Sequence, residues 1–249
     1  MGELIQFQHV SQFFAVRDST PTQALNEVSL DVRAGEFVCL IGPSGCGKTT
    51  LMHLLAGFVK PTAGAVRFRG EPVRGPGPER GVVFQEYALF PWMTARQNVE
   101  FGLRALKVDA GERKRRALQA LERVHLSHAA DRYPNELSGG MRQRIAVARS
   151  LVVEPQVLLM DEPFAAVDAM TRASLQNDLL RLWQEIGVSV LFVTHNIDEA
   201  IFLAQRVVVM AAHPGSVRAD IAIELPYPRQ RGSLEFAQHY AEIELALAE

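Results

Sequence analysis

Only two of the 249 residues are cysteine, Cys39 and Cys46, which excludes a disulfide scaffold and suits a reducing compartment. Long apolar runs are missing as well. Nowhere do eighteen apolar residues follow one another, so the sequence predicts no membrane-spanning helix. The opening MGELIQFQHV has no basic stretch followed by an apolar one, and no secretory leader is expected. An excess of charge of either sign is absent: 26 Lys and Arg face 28 Asp and Glu, for a net charge of −2. That balance gives no electrostatic basis for a nucleic-acid partner. No low-complexity tract or internal repeat stands out. What is present is ordinary for a globular protein, 48% hydrophobic and 22% charged residues, at a length that fits one large domain or one domain with an insertion.

The first third alternates in the manner of strands, in LIQFQHVSQFF, ALNEVSLDV and EFVCLI, and AVRFRGEPV reads as a further half-buried strand after the turn PTAG. After GVVFQ the pattern becomes helical, from about Asn98 to Val153. Continuous apolar runs return in VLLMDE and VSVLFVTH and predict strands covered on both faces. Between them DAMTRASLQNDLLRLWQEIG predicts a helix capped by Asp168 and ended by Gly187. The tail SLEFAQHYAEIELALA is amphipathic and is expected to pack back on the body, with a partner-binding helix as the alternative. The fold class is therefore α/β, a core interrupted by a helical insertion of small-subdomain size.

GPSGCGKT, Gly42 to Thr49, fits G-x-x-x-x-G-K-[ST] between an apolar strand and the helical TTLMHLLAG. In such a loop the glycines let backbone N–H groups wrap phosphates, and the helix start adds a positive partial charge. Gly42, Pro43, Ser44, Gly45, Cys46, Gly47, Lys48, Thr49 and Thr50 are the candidate nucleotide-binding residues, with Lys48 reaching the β/γ-phosphates and Thr49 holding Mg²⁺. A glycine-rich connecting turn is the bland alternative. VLLMDE ends in adjacent acids, which a strand directs to opposite faces, so Asp161 and Glu162 need different tasks. Asp161 is the candidate Mg²⁺ ligand and Glu162 the candidate general base for an attacking water. Gln85, ending GVVFQ, and His195, after VSVLFVT, sit where a γ-phosphate sensor belongs, at the carboxyl ends of strands. Asn196 and Glu199 make a capping box for the next helix.

A second helix start seeks an anion. In PNELSGGMRQRIAVARS, Ser138, Gly139 and Gly140 open a long helix. Taken alone, this is either another anion-binding start or a plain Ser cap with glycines for close packing, and the residues do not separate the two.

LSGGMRQR at Leu137–Arg144 resembles the signature motif of ABC-type ATPases, and the order of motifs is similar too: phosphate loop, Gln85, signature, LLMDEP, AAVD, His195. The resemblance covers nearly the whole chain. It implies a P-loop NTPase core with an N-terminal antiparallel β subdomain and an inserted α-helical subdomain. Residues 1–85 and 156–249 would form the ATP-binding part and 86–155 the insertion carrying the signature. It implies ATP as ligand with Mg²⁺, and a second copy of the chain in an ATP-sandwich dimer. There Ser138, Gly139 and Gly140 would complete the partner's site, being carried too far from their own loop. It further implies that Phe14 stacks on adenine, with Phe13 adjacent, that Gln85 is a metal ligand, and that Asp168 in AAVD lies at the dimer interface. Val167 stands where the family often has Leu.

FQEYALFPWMTARQNVEFGL resembles importer subunits, in which this segment forms a groove for a short helix of an integral membrane permease. Exposed Phe90, Trp92 and Met93 would suit that groove. The competing reading is that they fill the core of the insertion. EPFAAVDAMTR and RVVVMAAHPGSVRADIAIELPYPRQR resemble the nitrate/sulfonate/taurine branch. The implied protein is a peripheral subunit on the cytoplasmic face of a bacterial inner membrane. An extracytoplasmic substrate-binding protein would belong to the complex without touching this chain. A soluble ABC ATPase of DNA repair or translation and an exporter subunit are the alternatives. Against the former stand the absence of a coiled-coil pattern and of a basic surface.

Overall fold

The computed structural model describes residues 3–15 and 20–248. The chain forms two compact units, Met1–Gly77 with Ser189–Glu249, and Pro78–Val188.

The first unit holds two sheets. In one, β1 (Glu3–Phe14) lies between β2 (Thr22–Arg33) and β4 (Ala63–Phe68), antiparallel to both, with β5 (Glu71–Pro72) on the outside. Alternation along β2 puts Val28, Leu30 and Val32 inside, the period-2 signature of a strand with one wet face, and Leu25 is buried beyond a register shift at Glu27, φ 46°. The stretch AVRFRGEPV, expected as one strand, is a hairpin. Arg69 and Gly70 both take positive φ (55° and 79°), the geometry of a two-residue turn whose twist suits antiparallel strands.

In the other sheet of this unit, β3 (Phe37–Ile41) runs parallel to β8 (Ser189–Thr194) on one side and to β9 (Arg206–Ala211) on the other. β10 (Ser216–Ala222) closes it, antiparallel to β9. Every residue of β3 and β8 is buried, as their unbroken apolar runs predict for strands covered on both faces. The Phe37 and Phe192 rings meet at 5.9 Å between centroids. α1 (Lys48–Ala56) leaves the end of β3 after the glycine loop, and α6 (Ile197–Leu203) leaves the end of β8. The tail helix α7 (Leu234–Ala248) packs on α6, β9 and β10 through buried Phe236 and Ile243, in agreement with the expectation that it folds back.

The second unit carries two parallel strands, β6 (Arg80–Val83) and β7 (Val157–Asp161), and the helical run. That run is three helices, α2 (Ala95–Ala105), α3 (Ala110–Arg123) and α4 (Gly139–Leu151), with short 3₁₀ turns at Ser127–Ala129 and Pro134–Glu136. α2 begins three residues before the expected start because Thr94 and Gln97 form a reciprocal capping box there. α5 (Ala169–Ile186) starts on the Asp168 cap and stops at Gly187, φ 69°, as the sequence predicts. Among the described residues no helix is long and apolar enough to cross a membrane.

Candidate functional site

In the first unit the parallel register pairs Ile41 with Thr194, so the glycine loop and His195 emerge side by side from neighbouring strand ends. α2 through α6 each begin on a side chain that accepts a first-turn N–H. α1 begins on Gly47 and has no such cap. No side chain caps this start, which is how helix starts that hold phosphate are built. Gly47 sits at φ 90°, and a Cβ there would come within 2.4 Å of the Leu25 Cδ2 methyl, so only glycine fits. Gly215 packs against Cys46 O behind the loop, and it is tied to β2: Gly215 O accepts from Asn26 N at 2.8 Å, and Gly215 N donates to Ala24 O at 3.1 Å.

The crown of the loop, Pro43, Ser44 and Gly45, is exposed. Gly42 and Cys46 are buried behind it, and Thr50 is half-buried. Lys48 is 7% exposed, and its Nζ donates to Gly42 O at 2.7 Å and Pro43 O at 3.0 Å. The ammonium thus rests on carbonyls of its own loop. Thr49 is exposed at the start of α1. Phe14 and its neighbour Phe13 are each 41% exposed at the end of β1. Gln12, two residues before Phe14, pairs with Leu25, the residue that packs on Gly47. Both rings are therefore on the strand that borders the loop.

His195 is exposed, and the corner beneath it is tied by a relay rather than by the expected reciprocal box. Asn196 Oδ1 accepts from Glu199 N at 3.1 Å, which is one half of the box. The Glu199 carboxylate instead accepts from the Thr194 hydroxyl at 2.7 Å, and that hydroxyl also accepts from Asn196 N at 3.1 Å. The sequence alone did not show that Thr194 stands between them.

In the second unit Val83 pairs with Met160, so Gln85 and the two acids cluster past the ends of β6 and β7. Both strands end sooner than their apolar runs suggested, β6 two residues before Gln85 and β7 at Asp161. Glu162 takes φ 40°, the left-handed region, and its carbonyl accepts from Ala165 N at 3.1 Å. The two carboxylates are therefore separated by a backbone turn, not by the alternation of a strand. A non-glycine residue in that region stores strain, of a kind that concentrates at functional positions.

Ser138 caps α4 by accepting from Met141 N at 3.3 Å and is exposed. Gly140 is buried against α5, where an added Cβ would lie 2.6 Å from the Thr171 methyl. Gly139 faces the Tyr87 hydroxyl and Val167. Gly140 thus serves packing, and Ser138 caps the helix start from an exposed position. Asp168 caps α5, and donation from the Thr171 backbone N–H, then its hydroxyl, holds the carboxyl below the usual range.

The family profile described as ABC transporter matches residues 25–165. The chain belongs to that family, and it is an ATPase. The cassette is 49% identical to the nitrate import ATP-binding protein NrtD of Synechocystis, over 82% of this chain and 76% of that protein. It is 48% identical to an uncharacterized ABC transporter ATP-binding protein of Methanocaldococcus jannaschii, over 89% of this chain and 83% of that one. Among solved structures it resembles the dimeric ABC transporter cassette MJ0796, with a TM-score of 0.79 and 32% identity over 89% of this chain and all of that one. The same cassette in a dimeric post-hydrolysis state with ADP and Pi gives a TM-score of 0.78 at 31% identity, over 89% of this chain and all of that one. The fold is accordingly the ABC form of the P-loop NTPase, with its antiparallel N-terminal sheet.

Two residues of the cassette that the sequence did not single out hold the segment after Gln85. Asn98 is fully buried. Its Oδ1 accepts from Phe90 N at 2.8 Å, and its Nδ2 donates to Phe90 O, Met93 O and Thr94 O. Arg149, whose pKa burial lowers, donates to Ala88 O at 2.5 Å and Tyr87 O at 3.0 Å. On this frame Phe90 lies against Trp92 and Phe101, at 5.6 and 4.6 Å between ring centroids. Trp92 is 69% exposed and Phe101 42%, while Phe90 and Met93, expected to be exposed, are half-buried. The signal for Asn98 was available in its spacing, one turn beyond a Thr cap, but a lone Asn inside a helix reads as a neutral surface residue.

Proposed function

We propose that this chain is the ATP-hydrolysing, energy-coupling subunit of a bacterial importer for a small anion such as nitrate, a sulfonate or taurine. The observation that carries it is the aromatic patch of Phe90, Trp92 and Phe101. Asn98 spends its whole amide on fixing a loop whose tip presents Trp92 to solvent. A residue filling the insertion's core would not be left 69% exposed, and aromatics on a rigid surface are what an interface anchor requires. Similarity to nitrate import ATP-binding proteins supports the substrate class.

The reaction is attack of water on the terminal phosphorus of ATP. The water oxygen forms a bond to phosphorus, the bridging oxygen leaves with ADP, and one proton is released. In this reading the uncapped start of α1 and the loop N–H groups bind the phosphates, and Lys48 exchanges loop carbonyls for phosphate oxygens. Phe14 stacks on adenine. Glu162 takes the proton of the attacking water, a contribution of about 10²–10⁴ in rate. His195 contacts the terminal phosphate from the neighbouring strand end. Thr49, Gln85 and Asp161 would hold Mg²⁺, which neutralises charge on the terminal phosphates. Ser138, Gly139 and Gly140, with Asp168, act on the nucleotide of a second copy. The chain works from the cytoplasmic face under two permease subunits, and residues 86–155 are the part that meets them.

Pull-down from native membranes tests the coupling: wild type retains integral membrane proteins, and a soluble regulator leaves them behind. Mixing Ser138→Arg with Lys48→Ala, each folded and inactive alone, tests the dimer. A mixed pair has one site joining an intact Lys48 loop to an intact Ser138 from the other chain. ATP then drives mixed dimers beyond what either variant forms with itself. Absence of such dimers refutes action across the interface.

A further inference from the structure

The segment after β10 is extended and keeps the alternation of a strand without belonging to one. Continuing from Ile221 in β10, Ile223 and Arg229 are buried, with Leu225 and Tyr227 half-buried, and the intervening residues are exposed. Its inward residues converge on the carbonyl end of α6. That helix is seven residues long, and its last carbonyls have no partner within it. Water does not reach them, since Ile201, Leu203 and Ala204 are fully buried.

Arg229 answers this need. It is only 6% exposed, and its guanidinium donates to Ile201 O, to Ala204 O at 2.5 Å, to Ile223 O at 3.0 Å and to Leu225 O at 3.1 Å. Tyr227 Oη donates to Leu203 O at 2.7 Å. The Arg229 guanidinium lies 4.3 Å over the Tyr227 ring, and Arg231 lies 3.8 Å over the ring of Phe202. A buried cation at a helix carbonyl end is also favoured by the helix dipole. Burial pulls the Arg229 pKa down and pushes the Tyr227 hydroxyl up to about 12, so near neutral pH one is a fixed charge and the other a fixed donor.

At its other end the same two-turn helix begins at Asn196, directly after His195, in the relay through Thr194 and Glu199. We propose that Arg229 is a positioning residue for hydrolysis: by fixing α6 at its carbonyl end it sets where His195 stands. The inference rests on His195 acting at the terminal phosphate. It adds that the tail segment, far along the chain from every nucleotide motif, controls that action. The single guanidinium satisfies one α6 carbonyl, that of the capping Ala204 and two of the tail itself, so helix and tail are tied together. Lysine, a point charge with no planar fork, can replace only part of this.

The test is a double-mutant cycle on ATP turnover, with ATP affinity measured separately by a fluorescent nucleotide. His195→Ala alone comes first. If it keeps near-normal turnover, the reading of His195 fails irrespective of Arg229. Given its loss, Arg229→Gln is expected to lower kcat by about tenfold with ATP affinity within about twofold, and Arg229→Lys to recover part of kcat. In the His195→Ala background Arg229→Gln is then expected to cause no further drop in residual turnover. The proposal is overturned if the two losses multiply, or if ATP affinity falls in parallel with kcat. Should Arg229→Gln not fold, Arg229→Lys and Tyr227→Phe carry the same cycle with the same two outcomes.

Discussion

Truncating Asn98 to alanine isolates the frame of the proposed docking loop from the nucleotide chemistry. The structure says which groups lose their partner. Thr94 O keeps the N–H of residue 98, which donates to it at 2.9 Å, and Phe90 O keeps Met93 N at 3.1 Å. The Phe90 N–H and Met93 O lose the amide that served them at 2.8 and 3.0 Å. Two stranded groups at about 1–1.5 kcal/mol each give roughly 2–3 kcal/mol, or about 30- to 150-fold more frequent opening of residues 90–94. Native-state hydrogen exchange of the peptide spanning this loop measures that directly. It should accelerate by that factor while peptides of α1 and β3 do not change. Capture of integral membrane proteins should fall, and ATP affinity of the isolated chain should stay within about twofold. Acceleration below about threefold would refute the claim that Asn98 holds the loop.

Glu162→Gln keeps size and hydrogen bonding but removes the base, so turnover should fall by about 10²–10⁴ while ATP is retained. In sizing experiments with ATP it should persist as a dimer, and a monomer would count against both base and assembly. Phe90→Ala with Trp92→Ala should spare nucleotide binding and lose membrane-protein capture, whereas collapse of the isolated protein would favour core filling. Burial first, then Glu199, raises the Cys39 thiol well above its usual range against the opposing pull of Lys48. With so little thiolate near neutral pH, Cys39 should resist iodoacetamide in the native protein and react on unfolding; rapid native labelling would contradict its place in the core.

The phosphate loop was legible because its chemistry is backbone chemistry: positions such as Gly47 accept glycine alone, and the residue type reports the geometry. The strand cores of β3, β7 and β8 were legible from unbroken apolar runs, but the ends of β6 and β7 were not. An apolar pattern marks where burial stops, whereas the polar residues just beyond have already turned, as Glu162 does at φ 40°. The α2 start was readable in Thr94 and Gln97 and was passed over because the apolar period begins later. Asn98, Arg149 and Arg229 were hidden for a different reason. Each acts through carbonyls brought to it by the fold, and a carbonyl leaves no mark on the residue type that carries it.

Tyr87 has a consequence that concerns mechanical transmission. Its carbonyl is gripped by Arg149, in the last turn of α4, while its hydroxyl lies beside Gly139, the first residue of the same helix. α4 is in turn welded to α5 by the tight Gly140–Thr171 contact and by the Arg144–Asp178 ion pair at 2.7 Å. Tyr87 thus touches both ends of α4, so a displacement of the segment between Gln85 and Phe90 would bear on the helix that starts beside Ser138. α5 begins at Asp168, so the same packing joins that residue to the helix that starts beside Ser138. The surface around Trp92 and the start of α4 would then be joined through packed side chains rather than through a free loop.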